Sequence, residues 1–423
     1  MKHPVKALFL GGLFLIALSI LVYQLPPVQS RLGWRIDIAK TSLRTLLHPI
    51  GAMPTAVPVA ELPAPVLHLT PGPSPTATPP APTPSLSPTR SLPTPTPPPT
   101  ATPEPLPERM LLEAPRYETQ DWNNCGPASL ALYLRYYGWS GDQFTISDLI
   151  KPLRNDRNVN IDELAQYVLD NLPGYDVAIR VGGTPELLKQ FIAAGIPVMI
   201  EESFYLDEAF WYNDDRWAGH YLLVTGYDDA SGTFVTQDTF VAPNRRLTYD
   251  QLNQNWQSFN RAYLLVFPSE RSADVQNLLG QNWDLDANRQ NALDMARAEA
   301  EADPQNALAW FNVGSNLVYF QRYNEAAAAY DQARSLDLPQ RMLRYQFGPF
   351  LAYFHSGRND DLMALVDYAL SVTDNSEEAL LWQGWGRYRQ QDIQGALASF
   401  QKALEYHPNY GDALYAIGYI QQN

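Results

Sequence analysis

The chain has almost no cysteine. One of its 423 residues is cysteine, Cys125, which excludes an internal disulfide and any multi-cysteine zinc site. Basic charge is also scarce, with 30 Lys and Arg against 45 Asp and Glu and a net charge of −15. Residues 109–268 carry 12 basic and 21 acidic side chains, and residues 269–423 carry 11 and 20. That balance argues against a nucleic-acid partner, because phosphate recognition needs clustered Lys and Arg. No Gly-Lys-Ser/Thr loop that could cradle a phosphate occurs, and no metal-ligand spacing, so no cofactor is expected. Histidine is sparse as well. His3, His48 and His68 fall in the first seventy residues and His355 and His407 in the last seventy, which leaves His220 as the one histidine in the central stretch with Cys125.

The length calls for two or three domains. Residues 1–53 hold six Lys or Arg and one Asp. Within them Ala7 to Tyr23 is an uncharged apolar run, read as a single-pass membrane anchor, with a cleaved signal peptide as the alternative. Lys2, Lys6 and the amino terminus before the run nearly balance Arg31, Arg35, Lys40 and Arg44 after it, so charge alone does not orient it. Residues 54–108 contain 20 of the 36 prolines. Interleaved with Thr, Ser and Ala, they cannot form a packed core and predict a disordered, semi-stiff Pro/Thr-rich linker. From Pro71 to Pro107 it could reach roughly 110 Å at the polyproline rise. Such a stalk after an anchor suits domains held outside the cytoplasm, although a plain linker fits the same composition.

Residues 109–268 carry signals of an α+β domain. Pro127 suits the first turn of a helix that Gly138 ends, which puts Cys125 at a helix N-terminus. Asn160 with Glu163, and Thr184 before Pro185, open two more helices. Strands are predicted near Asp176–Val181, Ile196–Ile200, His220–Tyr227, Thr233–Asp238 and Arg261–Phe267. Helix first and antiparallel strands later is an α+β order. Residues 273–423 change to Ala- and Tyr-rich helices. Gly280, Gly314, Gly348, Gly384 and Gly418 recur at steps of 34, 34, 36 and 34, the spacing of paired-helix repeats, with Ala326, Ala396, Tyr330 and Phe400 filling the second helices. Trp310 to Gly314 and Ala396 to Leu404 look like tetratricopeptide repeats, an all-α solenoid that would bind a protein partner.

A thiol hydrolase needs a thiolate, an imidazole, a group that orients the imidazole, and donors for an oxyanion. Cys125 is the candidate nucleophile; the helix N-terminus favours its thiolate. His220 starts a strand after Ala218-Gly219. Asp238 ends the strand expected to pair with it. Gln120, five residues before Cys125, could set its amide beside the Cys125 N–H. Each has an ordinary alternative: a buried thiol, a strand-end histidine, a turn aspartate, a surface glutamine. The stretch from Ser203 to Trp217 is expected to form a loop beside the cleft, with Phe210 and Trp211 as aromatic walls.

The set Gln120, Asn124-Cys125-Gly126-Pro127-Ala128-Ser129-Leu130, Gly219-His220-Tyr221-Leu222-Leu223-Val224-Thr225-Gly226-Tyr227-Asp228 and Asp238 resembles the bacteriocin-processing (double-glycine leader) cysteine peptidases, chiefly their stand-alone relatives. The resemblance covers about 110–268. It implies a papain-like fold with Gln120 in the oxyanion hole, Cys125, His220 and Asp238 as a triad, and a peptide or protein substrate. Thr239-Phe240 follows Asp238 where that family usually has a proline, and no ATP-binding transporter module follows. The expected molecule is therefore multidomain: an anchor in 1–53 (helix about 7–23), a linker over 54–108, a papain-like α+β cysteine peptidase domain over 109–268, and tetratricopeptide repeats over 273–423. A catalytically silent peptide-binding module on a repeat scaffold, or a transglutaminase-like transferase, shares the same residues.

Overall fold

The helix that begins at Cys125 has an almost wholly buried sequence, and its first turn meets the end of a strand ninety-five residues away. The computed structural model describes residues 3–23, 26–56, 105–151, 153, 158–209 and 215–422. Two helices come first, α1 (His3–Tyr23) and α2 (Pro26–Leu47). The central region then runs β1 (Arg109–Leu111), α3 (Cys125–Tyr136), α4 (Gln143–Ile150), α5 (Ile161–Asn171), β2 (Tyr175–Arg180), α6 (Pro185–Ala193), β3 (Val198–Tyr205), β4 (Trp217–Asp228), β5 (Thr233–Asp238), β6 (Ala242–Thr248), α7 (Tyr249–Gln257) and β7 (Tyr263–Pro268).

The seven strands form one antiparallel sheet in the order β2-β7-β3-β4-β5-β6, with β1 paired to β4. Alternation along the strands separates two cores. Tyr221, Leu223, Met199, Leu264 and Val266 face α3, α4 and α5. Leu222, Val224, Ile200, Leu265 and Phe267 face α6 and α7. The helices thus cover both faces of the sheet. The anticipated boundaries hold where a local cap sets them. Asn160 N–H donates to Glu163 at 2.7 Å, Thr184 Oγ1 accepts from Leu187 N–H at 3.1 Å, and Gly138 and Gly195 take φ of +87° and +78° at helix ends.

Beyond β7 the chain is helical: α8 (Ser272–Leu279), α9 (Leu285–Ala302), α10 (Ala307–Tyr319), α11 (Tyr323–Arg334), α12 (Gly348–His355), α13 (Asn359–Val372), α14 (Glu377–Arg389), α15 (Ile393–Tyr406) and α16 (Gly411–Gln422), with a 3₁₀ turn at Gln340–Arg344. The glycine period has a packing cause in its middle members. A Cβ on Gly314 would lie 2.7 Å from the Tyr330 ring, and one on Gly384 would overlap Phe400. Gly280 and Gly418 meet nothing within 4 Å. Gly280 has φ of +54° and ends α8, so its place in the period reflects a helix stop and not helix pairing.

The helical region and the sheet domain share a core, so the boundary expected between 268 and 273 is not a gap. Trp217 and Phe259 belong to the same buried cluster as Phe311, Tyr330 and Met342. Asn260 and Asn316 exchange amide hydrogen bonds at 2.9 and 3.2 Å. Asn288 closes both backbone groups of Val181 at 3.1 and 2.8 Å, and Arg261 pairs with Glu299 at 2.7 Å.

The expected membrane-spanning helix about 7–23 falls on α1. Among the described residues no helix is long and apolar enough to cross a membrane; the side chains of α1 before Gly11 lie outside them. The C-terminal end of α2 docks on the helical region, with Arg44 paired to Asp374 at 2.7 Å and Ile50 and Met53 packed against its core. The linker expected over 54–108 lies outside the described residues from 57 to 104. Its flanks are held: Arg334 donates to the Pro54 carbonyl, and Tyr227 Oη donates to the Pro107 carbonyl at 2.7 Å.

Candidate active site

Cys125 is the first residue of α3, and its neighbours fix how that helix meets the sheet. Asn123 takes φ of +53°, a left-handed conformation that Asn tolerates. Its carbonyl is held by Lys151 Nζ at 2.7 Å. The Asn124 side chain donates to Gln143 Oε1 at 2.9 Å and caps no helix N–H, which leaves the positive helix end facing the thiol. Gly126 permits the approach to β4: a Cβ there would stand 3.3 Å from Leu164 and 3.4 Å from the Tyr221 ring. Ser129 Oγ then donates to the Tyr221 carbonyl at 2.9 Å. The helix start is thereby fastened to the residue that follows His220.

The structure brings Cys125, His220 and Asp238 together. His220 Nε2 lies 2.9 Å from Asp238 Oδ1, and the ring lines one pocket with Cys125, near enough for each group to shift the other's titration. With Nε2 occupied by the carboxylate, Nδ1 is the nitrogen that serves the sulfur. Phe204 and Phe240 pack on the imidazole with centroids at 5.3 and 6.3 Å. Asp238 is fully buried, yet its oxygens are saturated. Oδ1 also accepts from the N–H groups of Phe240 and Val241 at 2.9 and 3.0 Å, and Oδ2 accepts from Arg245 at 2.6 Å. Burial would raise its pKa, but the His220 hydrogen bond and charge and the two N–H donors outweigh that and bring it down to about 2. Burial likewise opposes charge on His220 and on Cys125. The Asp238 and Cys125 hydrogen bonds win for the imidazole, which is raised. The His220 hydrogen bond and charge, with the Tyr221 N–H and Lys151, win for the thiol, which is lowered. Both shifts favour a thiolate–imidazolium pair.

Gln120 lines the same pocket as Cys125 and His220. Its N–H donates to the Thr239 carbonyl at 2.9 Å, and its Oε1 accepts from Thr239 Oγ1 at 3.0 Å. The Gln120 amide oxygen is thus engaged, leaving the NH₂ as the end available to the pocket. Thr239 is what fixes this orientation. Among the described residues no group of His, Cys, Asp and Glu is placed to hold a metal ion. Phe204 and Leu206 from the expected aromatic loop do line the pocket, but Ser203 to Tyr205 are strand, and Phe210 and Trp211 lie outside the described residues.

Several neighbours escaped the sequence reading. Arg245 sits on β6, a strand hidden by its Ala-Pro-Asn-Arg-Arg start; two adjacent arginines in an acidic domain were the signal that could have found it. Glu202 is paired across the strands with His220 and fully buried, with no hydrogen bond of ordinary geometry to either carboxylate oxygen and Asn255 as the nearby amide. Burial raises its pKa from 4.5 to about 7, with His220 and Arg245 opposing. Between those pH values the folded protein holds a proton that the unfolded chain has released, so stability falls as pH rises. Glu202→Gln removes that penalty. It should raise stability at pH 8 by about 1–3 kcal/mol and leave it unchanged at pH 4. Thermal denaturation at the two pH values checks this, and an equal gain at both would discard the buried-carboxyl explanation.

A cysteine opening a buried helix against a strand histidine, on an antiparallel sheet, defines a papain-like arrangement. The sequence model described as "Peptidase_C39 like family" matches residues 111–264, so the sheet domain carries the C39-like match and the flanking regions lie outside it. No curated protein matches the chain. Among solved structures the chain is similar to a C39-like peptidase of Bacillus anthracis, at 18% identity and TM-score 0.31, covering 38% of this chain and 98% of that one. It is similar to the peptidase domain of Streptococcus ComA, a bi-functional ABC transporter involved in quorum sensing, at 14% identity and TM-score 0.29, covering 37% of this chain and 100% of that one. Xylellain, a cysteine protease from Xylella fastidiosa, matches at 17% identity and TM-score 0.30, over 40% of this chain and 91% of that one.

Proposed function

We propose that the sheet domain is a thiol hydrolase that cleaves a peptide or other amide. The observation that carries this reading is that Cys125 and His220 line one pocket with Asp238 hydrogen-bonded to the imidazole behind them. The Cys125 thiolate attacks the carbonyl carbon and a C–S bond forms. The oxyanion is received by the Gln120 amide and the Cys125 N–H. The His220 imidazolium protonates the leaving nitrogen, the C–N bond breaks, and a thioester remains. His220 then takes a proton from water, which attacks the thioester and returns the thiol with release of the acid. Asp238 stays ionised throughout and holds Nε2–H. The C39-like match supports a peptide or protein as substrate.

In this reading the chain is tethered through α1, whose Phe14, Leu15 and Leu21 are more than 60% exposed and need an apolar surface to cover them. The sheet domain and the helices then stand outside the cytoplasm, and the helical region binds a protein partner. Release of the whole chain from membranes by high salt alone would remove the tether. An electrophilic peptidyl probe tests the hydrolase reading: Cys125 of the full chain should be labelled, and denatured protein should not. A folded chain that the probe leaves untouched would favour a silent peptide-binding module.

A further inference from the structure

The pocket around Cys125 is not built by the sheet domain alone. Its lining includes Arg341 and Tyr345, which belong to the helical region, at and just past the 3₁₀ turn Gln340–Arg344. Tyr345 is held there by contacts that leave it little freedom. Its ring packs on Trp217 and Phe259, with centroids at 5.8 and 6.1 Å. The next residue, Gln346, donates to the Ser258 carbonyl at 2.8 Å, and Arg341 Nη1 donates to the Asp215 carbonyl at 3.2 Å. Gly219, directly before His220, lies under the same ring: a Cβ there would come 3.2 Å from Tyr345 and 2.8 Å from Phe259. The absence of a side chain at 219 therefore leaves room for the Tyr345 ring, which lines the pocket with Cys125 and His220. The same lining holds the apolar side chains of Phe204, Leu206, Ala218 and Phe240, together with the polar Arg341 and Glu201.

We propose that Tyr345 is a specificity-determining residue of the cleft, and that the helical region completes a subsite for a large apolar side chain of the substrate, next to the bond attacked by Cys125. This rests on the thiol-hydrolase reading and deepens it. A subsite shared between the two regions makes the helices part of substrate selection as well as a surface for partners. It also gives the shared core around Trp217 a functional consequence, since that packing holds Tyr345 at the pocket.

The test compares three reagents on the full chain: a peptidyl acyloxymethyl ketone with Phe beside the reactive ketone, the same compound with Gly, and iodoacetamide, which has no side chain. Rates of labelling at Cys125 are measured for the wild type, Tyr345→Ala and Tyr345→Phe. Tyr345→Ala should reduce the preference for Phe over Gly by roughly tenfold. Tyr345→Phe should keep the preference, and iodoacetamide should react equally with all three proteins. If the alanine variant loses its thermal transition, Tyr345→Leu, which keeps apolar bulk against Trp217, supplies the same readout. An unchanged preference overturns the inference, as does an equal slowing of iodoacetamide, which would make the ring a support of the fold. A wild type that reacts with iodoacetamide but with neither peptidyl reagent overturns the hydrolase reading itself, and the subsite with it.

Discussion

His220→Ala should lower kcat/KM for amide hydrolysis by about 10³-fold and slow alkylation of Cys125 at neutral pH. The variant removes the proton acceptor and, with it, the hydrogen bond and charge that bring the thiol below its ordinary value. What is left is a half-buried thiol whose desolvation raises its pKa, so the nucleophile is mostly absent at pH 7. The pH profile adds a sign that a merely structural histidine would not give. In the wild type the imidazolium is held up to about 10 by Asp238 and the thiolate, so kcat/KM should fall on the alkaline side near there and on the acid side below the usual thiol range. These limits belong to the coupled pair and not to either residue alone. Asp238→Asn takes away the acceptor and the negative charge behind the ring. Its alkaline limit should move to lower pH and the activity window should narrow. A profile that keeps its alkaline limit in Asp238→Asn, or a His220→Ala chain that hydrolyses at the wild-type rate, would end the proposed mechanism.

Much of this site was legible because the residues involved also punctuate the fold. Pro127 and Gly138 mark the two ends of α3, so Cys125 could be placed at a helix start. The turn between Asp228 and Thr233 pairs β4 with β5, which puts His220 and Asp238 on neighbouring strands. The less legible parts depend on contacts that no local pattern encodes. β6 begins with Ala-Pro-Asn-Arg-Arg and exposes much of its length, so neither alternation nor apolar content announces it, and Arg245 was missed with it. Glu202 reads as one more acidic residue of an acidic chain; only its pairing opposite His220 and its full burial distinguish it. The glycine period was visible, but it mixes two physical causes. Gly314 and Gly384 are small because aromatic rings of the next helix press on them, whereas Gly280 is a helix stop. Tyr345 could not have been found at all from sequence. It is one of 24 tyrosines, and its place at the cleft is created by the docking of Trp217 and Phe259 into the helical core.

Gln120→Ala should lower kcat by about 10²–10³ with little change in KM, the signature of a donor that acts on charge developing in the transition state. The effect depends on which end of the amide faces the substrate. Thr239 Oγ1 donates to Oε1, and the backbone N–H of Gln120 is tied to the Thr239 carbonyl, so the oxygen is occupied and Nε2 is the atom left for the oxyanion. Thr239→Val keeps the volume but removes the hydroxyl. The amide is then free to rotate, and kcat should fall by roughly tenfold, while Thr239→Ser should restore it. Alkylation by iodoacetamide separates this role from any effect on the nucleophile. That reaction displaces iodide from a saturated carbon and develops no oxyanion, so its rate at Cys125 should be the same in wild type, Gln120→Ala and Thr239→Val. If alkylation slows in step with hydrolysis, Gln120 acts by holding the loop before Cys125, and the oxyanion must be met by backbone N–H groups alone. If hydrolysis alone slows, and serine at 239 recovers it, the Thr239 hydroxyl is the group that aims the amide.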